Sequence, residues 1–273
     1  MLRERSLDAL SVGTRTDVRP EILMCAAQHG VKGVYCEKPL SRTLEDADAV
    51  SRRLTDAGIV FVYGPQRRYM PVFAAVGEAI RSGRIGRLTG IAIRWPAGPL
   101  LWRHPHSVDL ACFLAGDPPI ERVRAEMQVP SDAVSGLIVD ADPIVQSASI
   151  EFASGVTATI ASDDAHVVEV RGASGSIVIE QDGLRAIVGG SGGEATLEPA
   201  EAPCTSGTAT AMWTLMSWVR GCEAARYGIV NAVSNQEVLF GWLESSLAGG
   251  RWIRFPLARQ GRLVTGRTGD RFA

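Results

Sequence analysis

The sequence predicts a mixed fold: a short α/β segment with a parallel sheet, then an α+β unit with a large, mainly antiparallel sheet flanked by helices. Three observations carry that prediction. From Leu7 to Tyr63, apolar runs and helical periodicities alternate as strand, helix, strand, helix, strand, the pattern of parallel strands joined by right-handed crossovers. From Ile120 to Val188 several short strands are broken by Gly and Asp turns. Within them SASIEFASGVTATIAS alternates apolar and polar residues about a tight turn at Ser154-Gly155, which suits an antiparallel sheet with one polar face. Between the two patterns Gly64-Pro65 punctuates the chain. The expected organisation is therefore 1–64, 65–256 and a basic, Gly-rich, flexible tail over 257–273.

Composition sets the bounds. The chain has 273 residues, of which 46% are hydrophobic and 21% charged, enough to bury one large or two ordinary cores. A formal net charge of -2 gives no electrostatic footprint for nucleic acid or an acidic membrane. No apolar run approaches the roughly 20 residues of a membrane span, and MLRERSLDAL lacks a signal-peptide core. Five cysteines with no CxxC pair read as reduced thiols of a cytoplasmic protein. The four histidines do not sit at metal spacing with them, and Asp163, Asp164 and His166 lack a further ligand, so no metal is expected.

Each element has a local reason. Leu7–Gly13 is a strand, and Thr14-Arg15-Thr16-Asp17 turns at its end. Pro20 opens a helix, where a missing N–H costs nothing, and Gly30 suits its C-terminal cap. Val31–Glu37 is the second strand. Thr43–Ala57 is a helix with Leu44, Ala47, Val50 and Leu54 on one face, ended by Gly58, and Ile59–Tyr63 is the third strand. Helices are expected over Pro71–Ser82, His104–Ala115, Thr208–Arg226 and Ser234–Ala248. Strands are expected over Arg87–Trp95, Ile120–Met127, Ile144–Phe152, Val156–Ala161, Val167–Arg171, Ser176–Glu180, Leu184–Val188 and Trp252–Phe255. Gly189–Pro203 reads as a loop.

One stretch organises the rest. In GVYCEKPL, Gly33–Leu40, a buried strand runs into Glu37-Lys38-Pro39. Proline has no ladder donor, so the strand stops and presents Lys38 at its carboxyl end. That edge is where ligands bind in open α/β sheets.

With these residues in view, the chain resembles the Gfo/Idh/MocA family, the glucose–fructose oxidoreductases and inositol dehydrogenases. The matching segments are CEKPL at Cys36–Leu40, QRRYMP at Gln66–Pro71, SGRIG at Ser82–Gly86, HSVDLACFLAG at His106–Gly116 and VRGASGSI at Val170–Ile177. The resemblance runs from Leu7 to Pro256. It implies a partial Rossmann-type sheet that begins at the fourth strand of the usual order, since no Gly-x-Gly-x-x-Gly turn precedes Leu7. Two expectations follow for that gap: an incomplete reading of the gene, or a true short form without the usual pyrophosphate cradle. The resemblance also implies an oxidoreductase that uses NAD or NADP on a sugar, polyol or related hydroxy compound, and a homodimer formed through the large sheet. The alternative is a non-catalytic sugar-binding or assembly subunit that has lost dinucleotide binding.

Hydride transfer from a sugar carbon needs a proton acceptor, a positive group to polarise the oxygen, and fixed geometry. Lys38 suits the positive role beside Glu37, and the resemblance implies contacts to substrate and nicotinamide ribose. His106 is the candidate base, with Asp109 three residues on and on the same helical face. Relatives carry an aspartate four positions before this histidine. Here that position is Trp102, which can only stack or donate one hydrogen bond. Thr14, Arg15 and Asp17, in the turn after the first strand, are implied beside the cofactor together with Glu37 and Lys38. Arg15 stands where the family usually has proline. Arg68 and Tyr69 are implied substrate ligands, with an interdomain salt bridge and a packing ring as their alternative, and Trp102 is expected to bind substrate beside them. Trp95 reads as core. A bare face on the small sheet is expected to be poorly soluble or covered by another element.

Overall fold

A computed structural model describes residues 4, 6–204, 206–223 and 227–266. The chain begins with β1 (Ala9–Val12), α1 (Arg19–Gln28), β2 (Gly33–Cys36), α2 (Leu44–Asp56) and β3 (Val60–Tyr63). The three strands form one parallel sheet in the order β1-β2-β3. All four residues of β2 are buried, because this central strand is covered on both faces. Thr43 caps α2 by accepting from the Asp46 N–H. Glu45 and Asp46 then place negative charge in the first turn, where the helix dipole favours it.

A 3-10 turn over Gln66–Tyr69 leads into α3 (Pro71–Arg81), β4 (Leu88–Trp95), β5 (Gly98–Pro99) and α4 (Leu100–Ala115). The strands β6 (Ile120–Gln128), β7 (Val134–Ser135), β8 (Ile138–Val139), β9 (Ile144–Phe152) and β10 (Thr157–Ser162) follow. After them come β11 (Val167–Gly172), β12 (Gly175–Glu180), β13 (Arg185–Gly190) and β14 (Gly193–Leu197), then α5 (Gly207–Val219) and α6 (Ile229–Leu247), and last β15 (Ile253–Arg254) and β16 (Leu263–Val264). The large sheet runs β14-β13-β12-β11-β4-β10-β9-β6-β15. It is antiparallel except where β4 meets β10. Its inner face packs Ile91, Ile93, Val123 and Ile150 against Val108 and Leu114 of α4 and against Leu239, Trp242 and Leu243 of α6.

The structure meets one expectation, that another element covers the small sheet, and corrects three others. Ala211, Leu215 and Trp218 of α5 cover Tyr35 and Val62, while α1, α2 and the start of α6 cover Val34, Cys36 and Phe61. Elements from beyond the Gly64-Pro65 break thus complete the first unit. Gly33 makes the α5 contact possible, since a Cβ there would lie 2.3 Å from Val219 Cγ2. The helix expected from His104 starts at Leu100. The Asp142 carboxylate accepts from the Leu101 and Trp102 amides at 2.7 and 3.1 Å, and the Pro143 carbonyl accepts from Leu100 at 2.8 Å. A cap supplied from 40 residues away leaves no local signal.

The loop expected over 189–203 contains β14, paired to β13 through a turn of glycines at Gly190 and Gly193. The tail is not free over 257–266: Arg259 pairs with Asp48 at 2.8 Å and Glu237 at 2.6 Å, Arg262 pairs with Glu244, and β16 pairs with β8. Residues 267–273, and the 224–226 end of the helix expected over Thr208–Arg226, lie outside the described residues.

Candidate active site

The carboxyl ends of β1 and β2 are fixed by one buried guanidinium. Arg19, in the first turn of α1, donates to the carbonyls of Thr14 and Pro39. It thereby ties the turn after β1 to the backbone immediately after Lys38. Glu37 is held from two sides: the Tyr35 hydroxyl donates to its Oε1 at 2.8 Å, and the Lys38 N–H reaches its Oε2 at 3.3 Å. Gly64 leaves room for this carboxylate, because a Cβ there would lie 3.0 Å from Oε2.

Lys38 projects away from the sheet. Its Nζ donates to the Trp102 carbonyl at 2.6 Å and sits 3.9 Å from the centre of the Trp102 ring. Burial lowers its pKa to about 8, with Glu37 and Asp142 opposing the fall and Arg19 and Arg67 adding to it. His106 lies in the second turn of α4. Burial first, then the charges of Arg67 and Lys38, hold its pKa well below the ordinary histidine value. The imidazole is therefore neutral at pH 7, and its Nδ1 is buried without a hydrogen-bond partner. His104, two residues earlier, is spent on structure: its Nδ1 lies 3.1 Å from Ser107 Oγ and its ring packs edge-on to Trp242.

Lys38 and His106 line one cavity of about 300 Å³, together with Arg67, Trp95, Trp102 and Arg103. Arg67 stacks on Trp95 at 4.3 Å and forms a two-pronged ion pair with Asp182, at 2.6 and 2.7 Å. Asp182 comes from the β12–β13 turn, so this pair braces one wall of the cavity against the large sheet. A neutral imidazole and a readily deprotonated ammonium in one partly closed space form an acid–base pair suited to moving a hydroxyl proton.

Residues 1–64 match a family described as an oxidoreductase family with an NAD-binding Rossmann fold. An inositol 2-dehydrogenase of Rhizobium meliloti is 30% identical over 193 residues, 64% of this chain and 57% of that protein. A D-apiose dehydrogenase of Paraburkholderia graminis is 27% identical over 85% of this chain and 63% of that protein. The crystal structure of an aldose–aldose oxidoreductase from Caulobacter crescentus superposes with a TM-score of 0.76 at 20% identity, covering 93% of this chain and 81% of that one. The chain is similar to proteins of the Gfo/Idh/MocA family, whose model matches residues 1–64. It matches less than two thirds of the length of these curated relatives.

The expected site residues separate into two groups. Lys38, His106 and Trp102 share the cavity. Asp109, Arg68 and Tyr69 do not line it. Asp109 is buried against Arg68, whose guanidinium contacts it at 2.8 Å and reaches Asp117 at 3.3 Å. The three-residue spacing did not carry Asp109 to the side of His106. Burial pushes the Asp109 carboxyl up despite Arg68, because one guanidinium serves two carboxylates. Tyr69 is a packing ring beside α5.

Arg68 is thus held in a buried salt bridge within the 65–256 unit rather than between units, Tyr69 is a packing ring, and neither lines the cavity. Thr14 and the Arg15–Asp17 pair, 3.1 Å apart, stand in the turn that Arg19 anchors. Trp95, read as core, is buried and also forms the cavity wall. Sequence reading missed Arg19, Arg67 and Arg103. Arg67 is adjacent to the arginine it named, and only the geometry of the 3-10 turn tells which of the two faces the cavity. Among the described residues no metal-binding group of His, Cys, Asp or Glu is found, and no helix is long and apolar enough to cross a membrane.

Proposed function

We propose that this chain carries the substrate-side machinery of an NAD(P)-dependent oxidoreductase that interconverts a hydroxyl and a carbonyl on a sugar or polyol. The observation that carries the reading is the meeting of Lys38 and His106 in one cavity at the carboxyl ends of parallel strands. The names of the relatives, inositol 2-dehydrogenase and D-apiose dehydrogenase among them, support it.

The strand ends fit the nicotinamide end of such a cofactor: the turn Thr14–Asp17 and Lys38, clamped together by Arg19, would hold it, with Glu37 orienting the lysine backbone. For the pyrophosphate end the described residues offer no Gly-x-Gly-x-x-Gly turn. When bound, the nicotinamide supplies the hydride acceptor or donor. The rest of the chemistry falls to side chains. His106, neutral at pH 7, takes the hydroxyl proton in the oxidative direction. The Lys38 ammonium stabilises the charge that develops on the same oxygen. Trp102 holds that ammonium in place through its carbonyl and ring, and helps to exclude water. A homodimer through the large sheet belongs to the same proposal.

The test is a fluorescence titration of NADH and NADPH against the purified protein, followed by turnover with inositols and aldoses. Binding with micromolar to millimolar affinity, lost in Lys38→Ala, is expected. No binding of either cofactor at millimolar concentration overturns the enzyme reading for this chain and leaves the sugar-binding subunit.

A further inference from the structure

The cavity is lined by three formally cationic side chains, Lys38, Arg67 and Arg103, against a single carboxylate, Asp182. That carboxylate is already taken, because both its oxygens accept from Arg67. Arg103 has no such partner. Its Nη1 donates to the carbonyls of Pro96 at 2.6 Å and Ala97 at 3.3 Å, and among the described residues no carboxylate lies within ion-pair distance of it. Its stem is seated against Gly98, where a Cβ would lie 2.5 Å from Arg103 Cδ, so the guanidinium is positioned rather than free to sweep through solvent.

The acids nearest Lys38 do not enter the cavity. Glu37 is held by Tyr35 and the Lys38 amide, and Asp142 caps α4. Lys38 has the charges of Glu37 and Asp142 beside it, whereas Arg103 has no carboxylate partner, and a cavity with such a cation favours a ligand that brings the counter-ion. Arginine's fork matches a carboxylate in two parallel hydrogen bonds. The neutral lining groups, Gln66 and His106, suit hydroxyls.

We infer that the substrate is a hydroxy acid, of the sugar-acid class, whose carboxylate is bound by Arg103 while its reacting hydroxyl faces Lys38 and His106. The inference rests on the oxidoreductase reading above and narrows it from neutral sugars and polyols to their carboxylated counterparts.

The experiment is calorimetric titration, with NADH present, of matched probes: D-gluconate against D-glucitol, D-glucuronate against D-glucose, and D-glucose 6-phosphate as the other anion. The expected result is a preference of about tenfold or more for a carboxylate over its neutral partner. That preference should shrink as salt rises from 50 to 500 mM. Arg103→Gln should cut the carboxylate-to-neutral ratio at least about fivefold, and Arg103→Lys, which keeps the charge but not the fork, should restore only part of it. Because ratios are compared within one variant, partial misfolding cancels. Neutral probes that bind as tightly as the acids, or a phosphate that binds more tightly than either acid, overturn the carboxylate assignment and leave the hydride-transfer reading standing. A protein that binds NADH but ignores every probe overturns the assignment as well. Failure to bind NADH at all overturns the reading beneath it.

Discussion

Replacing Arg68 with methionine should unfold the protein early while leaving the chemistry intact. The Arg68 side chain is 4% exposed and that of Asp109 5%. The guanidinium also reaches Asp117 and lies 4.6 Å from the Tyr227 ring. It joins the turn after β3 to α4 and to the turn that follows α4. Arg68→Met leaves Asp109 buried without a counter-charge, and breaking one side of a buried pair costs about 3–5 kcal/mol. For a chain of this size that lowers Tm by roughly 6–20 °C.

The sign of the pH dependence follows from the same contacts. Asp109 already has a raised pKa in the folded state. A carboxyl raised on folding binds more protons folded than unfolded, so stability falls as pH rises through the window above its ordinary value. Without Arg68 the window moves higher, and the deficit of Arg68→Met should be larger at pH 8 than at pH 5. Arg68→Met combined with Asp109→Leu should recover much of the loss, since no buried charge remains. Urea melts at the two pH values, with NADH-linked turnover at a permissive temperature, are the assay. A loss below about 1 kcal/mol, or a large fall in kcat with Tm unchanged, would refute the structural role and return Asp109 to the site.

Four further outcomes are expected. The oxidative pH–rate profile should be bell-shaped, with its alkaline limb near pH 8 from loss of the Lys38 proton and its acid limb below pH 6.5 from protonation of His106; an alkaline limb still flat at pH 10 contradicts the role given to Lys38. Trp102→Ala removes both a ring that favours the ammonium, by about 0.5–2 kcal/mol, and the burial that opposes it. Burial is the larger cause, so the alkaline limb should move up, and a downward move shows that the ring contact dominates. Arg19→Met should lose two charge-assisted bonds, costing roughly 2–4 kcal/mol, and lower kcat more than it raises KM because Lys38 is no longer held. Gly33→Ala should cost about 1–3 kcal/mol by driving a methyl into Val219; an unchanged urea midpoint shows that α5 does not seat on the small sheet.

Much was written locally in the chain. The alternation around Ser154-Gly155 gave the β9–β10 hairpin, and the abrupt Glu-Lys-Pro end of β2 put Lys38 at the ligand-binding edge. Both follow from what a residue can do with its own backbone and nearest neighbours, so a single sequence suffices to read them. The contents of the cavity were not written that way. Whether Arg67 or Arg68 faces the ligand depends on one 3-10 turn, and each is claimed by an acid more than 40 residues away, Asp182 or Asp109. The start of α4 hangs on Asp142, the cover of the small sheet on α5, and the fixing of residues 257–266 on Asp48, Glu237 and Glu244. Charge pairing and burial act through space and carry no sequence period, so the partner of each arginine, and with it the division between structure and chemistry, was decided only when the chain folded.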